Sequence, residues 1–148
     1  MRQLIIARKD LNMSAGKLAA QCCHAAMAFI TSPMRSEQKC VKTQCNGYKD
    51  LSVSMPANIY DEWICGIFTK TICEAKNRNQ LMKAVTIARE LGLIEGKDFF
   101  LIKDSCLTEL TPEEIDENGV GRTLTCIGFR PLPDEIAHRI SKQYQLYR

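Results

Sequence analysis

A chain of 148 residues, 45% hydrophobic and 25% charged, has the size and balance of one globular domain that buries a core without disulfides or metal, which excludes a disordered or low-complexity segment. Its net charge of +3 is too small to mark a nucleic-acid binder by itself, but the charge is unevenly spread: residues 1–50 carry eight Lys and Arg against three Asp and Glu, and residues 101–148 carry six against eight. The opening apolar run Leu4-Ile5-Ile6-Ala7 is closed by Arg8, Lys9 and Asp10, too short for a secretory signal, and no stretch is long enough to span a bilayer. Eight cysteines without an export signal are expected as reduced thiols in a cytoplasmic protein, and Cys22, Cys23, Cys65, Cys73 and Cys126 lie in apolar segments that predict burial.

In chain order, residues 3–7 (QLIIA) predict a short buried strand and residues 10–14 a turn ending in Ser14, a good helix N-cap. The helix expected over residues 15–30 places Leu18, Cys22, Ala25, Ala26 and Phe29 on one inward face. Residues 32–58, with Pro33, Gly47 and Pro56 and no sustained period, predict a long polar excursion with room for a helical turn. The apolar, β-branched stretch 63–71 (WICGIFTKT) predicts a central strand. A second helix is expected over 77–91 on Leu81, Met82, Val85 and Ala88, stopped by Gly92, and a third strand over 99–103. An acidic loop over 109–121, containing Glu113, Glu114, Asp116 and Glu117, leads to a fourth strand over 122–129. A last helix follows Pro131-Leu132-Pro133, with Asp134 and Glu135 suiting its positive end. The order β-α-β-α-β-β-α implies an α/β fold: a mixed four-stranded sheet with helices packed on both faces, as one domain over residues 1–148.

Two places carry candidate chemistry. Lys17, Gln21 and His24 recur at i, i+4 and i+7 in a helix otherwise made of Ala, Cys, Leu and Met, forming one polar stripe. Lys17 falls in the first turn, where a cation opposes the helix dipole, so an anion or developing negative charge is expected beside it. Asp104 closes the third strand, where open α/β sheets place ligands, and Thr108 follows on the same loop. Taken singly, the stripe reads equally well as a solvated lysine with a satisfied histidine, and Asp104 with Thr108 reads better as an ordinary Asp-Ser turn. A cysteine nucleophile beside His24 is disfavoured because Cys23 and His24 point about 100° apart on a helix. Cys40-x4-Cys45 is half a metal site without a second pair at ligand spacing.

Together the two features resemble a family. The segment Asp10-Leu11-Asn12-Met13-Ser14-Ala15-Gly16-Lys17-Leu18-Ala19-Ala20-Gln21-Cys22-Cys23-His24-Ala25-Ala26 closely resembles the first-loop-and-helix motif of peptidyl-tRNA hydrolase type 2. The resemblance continues through Trp63-Ile64-Cys65-Gly66, residues 88–93, Asp104 with Thr108, Ile127-Gly128 and a terminal helix ending Gln145-Leu146-Tyr147. It implies hydrolysis, without metal or cofactor, of the ester that joins a peptide or blocked amino acid to tRNA, by a homodimer that does not enter membranes. It assigns catalysis to Lys17, His24, Asp104 and Thr108, and substrate contacts to Arg8, Asp10, Gln21 and Glu109. Arg35, Lys39, Lys42 and Lys49 are candidates for tracking RNA phosphates, and the 113–117 acids are expected to stay clear of RNA.

Departures mark a divergent member. Where the family usually has Asp-Ala-Gly-Arg-Thr-Gln, this chain has Asp104-Ser105-Cys106-Leu107-Thr108-Glu109, and its turn after the last strand is Gly128-Phe129-Arg130-Pro131-Leu132-Pro133. Loss of the Arg at Leu107 leaves open a rival reading, a module of the same fold that binds tRNA or protein with impaired hydrolysis.

Overall fold

A computed structural model describes residues 1–36, 41–44 and 46–148. Lys39, Cys40, Cys45 and the side chain of Lys42 lie outside the described residues. Strand β1 (Gln3–Arg8) enters helix α1 (Ala15–Ser36), and a hairpin of β2 (Val41–Thr43) and β3 (Lys49–Leu51) follows. Then come a π-helical segment (Ile59–Ile67), β4 (Lys70–Ala75), α2 (Arg78–Glu90), β5 (Phe99–Asp104), β6 (Glu114–Ile115), β7 (Gly121–Phe129), α3 (Asp134–Ser141) and β8 (Gln145–Leu146).

The sheet is mixed, in the order β5-β7-β1-β4-β8 with β6 on β7; β1 and β4 are parallel and the other pairs antiparallel. Three of the expected strands are present as β1, β5 and β7, β4 takes the place of the expected central strand later in the chain than expected, and the short β6 and β8 extend the sheet beyond four. Strand alternation divides the core. Leu4 and Ile6 face α2 and α3 with Leu81, Val85, Leu124, Ile127 and Ile140, while Ile5 and Ala7 face α1 with Cys22, Ala25 and Cys126. Each fully buried Leu or Ile contributes roughly 1.5–3 kcal/mol. Helix α1 lies so close to β7 that a Cβ on Gly128 would come within 2.4 Å of the Ala25 carbonyl oxygen, so only glycine fits there.

Several expectations are corrected. The stretch 63–71 is not a strand: it winds as the π-helical segment, and β4 starts only at Lys70. A short apolar run has no period that separates strand from helix. Here Ile59 and Trp63, four apart, are buried while Ile67 is 93% exposed. Trp63 stacks edge-on against Phe29 of α1 and donates Nε1–H to Thr69 O at 2.8 Å, so the indole anchors a wound turn on the helix. Helix α1 continues through Pro33 to Ser36, and the excursion contains the β2–β3 hairpin. The last residues leave the helix, with β8 pairing to β4. Cys23 and Cys65 are exposed, whereas Cys22, Cys73 and Cys126 are buried. Burial pushes the Cys22 thiol up to about 11, so it stays protonated. No described helix is long and apolar enough to cross a membrane.

Candidate active site

The β1–α1 turn ends at Ser14, whose Oγ accepts from Lys17 N at 3.2 Å and caps α1 as its residue type predicts. In the first turn of the helix, Lys17 projects toward the carboxyl end of β5, and Gln21 follows one turn later on the same face. Asp104, the last residue of β5, is 8% exposed and receives both: Lys17 Nζ lies 2.7 Å from Oδ2, and Gln21 Nε2 donates to Oδ2 at 2.8 Å. Cys106, in the left-handed region at φ 55°, turns its N–H back onto Asp104 Oδ1 at 2.9 Å. Lys17 Nζ also donates to Thr108 Oγ1 at 3.2 Å. Thus Lys17, Gln21, Asp104 and Thr108 converge, although they come from a helix, a strand end and a loop.

Burial opposes the Asp104 charge, but the Lys17 hydrogen bond and charge, the Cys106 N–H and the Gln21 amide outweigh it and hold the carboxyl below its ordinary value. Asp104 is therefore a carboxylate at neutral pH, good at accepting hydrogen bonds and weak as a base. The valences decide what remains open. Lys17 has three N–H donors, and two are engaged on Asp104 and Thr108. The third, and the second lone pair of Asp104 Oδ1, have no partner among the described residues.

Thr125 is the member that sequence reasoning missed. Strands β5 and β7 slip register between Ile102 and Lys103, pairing Ile102 with Cys126 and Lys103 with Leu124, so Thr125 has no partner. A bulge re-aims its side chain, and the Thr125 hydroxyl donates to Gln21 Oε1 at 2.7 Å, with Ile102 O also within 3.1 Å. Holding the Gln21 oxygen on Thr125 leaves its NH2 for Asp104. The only sequence signal is a hydroxyl within an apolar strand, which does not reveal a bulge.

Arg8 and Asp10 belong to a separate cluster. Arg8 Nε and Nη2 donate to Asp10 at 3.1 and 2.7 Å, Nη2 lies 2.7 Å from Glu113 Oε1, and Nη1 donates to Glu113 Oε2 at 2.7 Å and Leu124 O at 3.0 Å. Four of these contacts are hydrogen bonds and the fifth, Nη2 to Glu113 Oε1, is an ion-pair contact, and Arg8 is 3% exposed. Arg8 thus ties the acidic hairpin to the sheet; the same contact is the chief reason the Glu113 carboxyl lies low. Glu114 pairs with Arg78 and Lys103, and Asp116 with Arg122, so these acids are neutralised within the chain. Glu109 Oε1 accepts from Ser14 N at 2.9 Å and Ser14 Oγ at 3.2 Å, placing a carboxylate at the positive end of α1.

His24 is exposed, and among the described residues no hydrogen bond joins it to Lys17, Gln21 or Asp104. It lines a groove along β5 that also contains Arg35, whereas Lys49 is exposed on the β2–β3 hairpin. Leu107, in place of the usual arginine, is 84% exposed beside Thr108.

A family model described as peptidyl-tRNA hydrolase PTH2 matches residues 1–147. A peptidyl-tRNA hydrolase of Methanopyrus kandleri is 27% identical over 147 residues, covering 99% of this chain and 98% of the relative. One of Thermococcus sibiricus is 28% identical over 149 residues, covering 98% and 96%. The mouse protein named peptidyl-tRNA hydrolase 2, mitochondrial, is 26% identical over 147 residues, covering 99% of this chain and 63% of its own length. With a match spanning nearly every residue, this chain belongs to the peptidyl-tRNA hydrolase PTH2 family.

Proposed function

We propose that this chain hydrolyses the ester between the peptide carboxyl and the terminal ribose hydroxyl of peptidyl-tRNA, releasing peptide and free tRNA. The observation that carries the reading is Lys17: a cation held 2.7 Å from a buried carboxylate, with one N–H left for a developing oxyanion. Asp104 Oδ1 accepts a hydrogen bond from the attacking water and orients it toward the carbonyl carbon. As the C–O bond breaks, the proton from water reaches the departing ribose oxygen, by way of Asp104 or solvent. Thr108 holds Lys17 in line, Gln21 positions Asp104, and His24 contacts substrate from the groove. Arg8 and Asp10 keep the neighbouring hairpin in place, and Glu109 orders the start of α1.

The positive charge that a metal would supply to the oxyanion is here supplied by Lys17, which supports turnover independent of metal. On the same reading the chain works as one domain in a cytoplasmic homodimer, as its family resemblance implies. The experiment is release of labelled N-acetyl-aminoacyl groups from tRNA by purified protein, with and without EDTA. Turnover that survives EDTA and disappears in Lys17→Ala and Asp104→Asn is expected. Bound tRNA with no turnover by folded wild type would instead establish a binding module, the outcome that Leu107 and Glu109 would then explain.

A further inference from the structure

Strand β5 is the outermost strand of the sheet, and among the described residues it pairs with β7 on one side only. On its other edge Phe99 N donates to Ile94 O at 3.4 Å and Phe99 O accepts from Gly96 N at 2.8 Å, while Ile102 O faces β7 and lies 3.1 Å from Thr125 Oγ1. A strand alternates its main-chain groups between its two edges, so Leu101 and Lys103 present theirs on the same open edge as Phe99. That edge is one wall of a groove of about 560 Å³, and α1 is the other, through His24, Met27, Thr31 and Arg35. One end of the groove reaches Lys103, next to Asp104. The edge is closed at the other end, where Ile94 and Gly96 occupy the main chain of Phe99.

We propose that this groove holds the peptide part of the substrate as an extended strand added to the edge of β5, with its terminal carbonyl at Lys17 and its chain running back toward Phe99. The inference rests on the hydrolase reading above. The scissile carbonyl and the peptide are one chain, so the peptide must leave the site past its neighbours, and this groove runs along β5 as far as Lys103, the residue before Asp104. Nascent peptides differ in sequence, and main-chain pairing to a sheet edge accepts an extended chain whatever its side chains. The bound peptide runs parallel to β5. At roughly 3.3 Å per residue, the free edge from Phe100 to Lys103 takes about three peptide residues, with alternate side chains over Met27 and Thr31. RNA would call for a row of free cations, whereas of the two in this groove Lys103 is already paired with Glu114, leaving Arg35 as a single cation without an ion pair among the described residues.

The test compares N-acetyl-aminoacyl-tRNA with N-acetyl-tripeptidyl-tRNA, the latter also N-methylated at each peptide amide in turn. The tripeptidyl substrate should have a kcat/KM about tenfold higher, and methylation should remove that gain at alternate amides only. Met27→Trp, a change at a half-exposed position, should fill the groove and abolish the length advantage while leaving N-acetyl-aminoacyl-tRNA turnover unchanged. If the variant fails to fold, the methylated substrates still decide. Equal rates for short and long substrates, or indifference to methylation, would overturn the proposal. So would a Met27→Trp defect equal for both substrates and steep in salt, which would make the groove an RNA site. No turnover of either substrate sinks the hydrolase reading itself, and this inference with it.

Discussion

Lys17 and Arg8 are both cations held by carboxylates on either side of the β1–α1 turn, yet they are built for different work. Arg8 is enclosed, with four hydrogen bonds to Asp10, Glu113 and a backbone carbonyl and a further ion-pair contact to Glu113. Lys17 spends two of its three N–H groups, on Asp104 and Thr108, and its remaining donor has no partner among the described residues. The difference teaches that a buried charge is not by itself a sign of function. What marks a reactive cluster is valence left unfilled where a substrate can reach it.

The sharpest way to break the comparison is to remove each cation. Lys17→Ala should lower kcat by about a thousandfold in a protein that still folds, the size expected for losing a donor to an oxyanion. Asp104→Asn should do likewise, both read by acyl release from tRNA. Arg8→Met should leave kcat per folded molecule near wild type but cost about 3 kcal/mol in urea unfolding, because Asp10 and Glu113 lose a shared buried partner. A folded Arg8→Met that is as inactive as Lys17→Ala would erase the distinction.

Thr125→Val sharpens it further. With the hydroxyl gone, the Gln21 amide is free to turn its oxygen toward Asp104, and kcat should fall about tenfold, the order of losing one hydrogen bond to a charged group. Thr125→Ser should restore activity, which a purely packing role for the Thr125 side chain would not allow.

The titration of Asp104 gives a test in pH. Its folded value is lowered, so its stabilising contribution is complete above the unfolded carboxylate range and is lost as pH falls through the folded value. Carboxyl-carbon NMR should show Asp104 titrating below 3.8 in wild type and moving upward in Lys17→Ala, where burial is less opposed. An unmoved titration would mean that Lys17 does not govern the carboxylate. The smallest effect is expected at the helix start: Ser14→Ala should cost about 1 kcal/mol in thermal unfolding by removing the cap on Lys17 N.

Much of the fold was legible because hydrophobic period is a local property. Strand β1, the start of α1, helix α2, strand β5 and strand β7 fall where alternation and helical spacing put them. The stretch 63–71 misled because its apolar residues carry no period, and the β2–β3 hairpin lies in a polar segment with little core to signal it. In the site, Lys17 and Gln21 were legible as one helical stripe, but His24 on the same stripe falls one turn beyond the cluster and into the groove.

The sequence by itself determined the mixed α/β architecture, the capped helix with Lys17 and Gln21 on one face, Asp104 at a strand end and the family they belong to. These follow from neighbours in the chain, where spacing and residue type are sufficient. Only the tertiary structure decided that Arg8 is closed and Lys17 open, that Glu109 sits on Ser14, and that a register slip turns Thr125 onto Gln21. Each of these depends on which distant group fills a hydrogen-bonding valence, and that is set by packing across the sheet rather than by order along the chain.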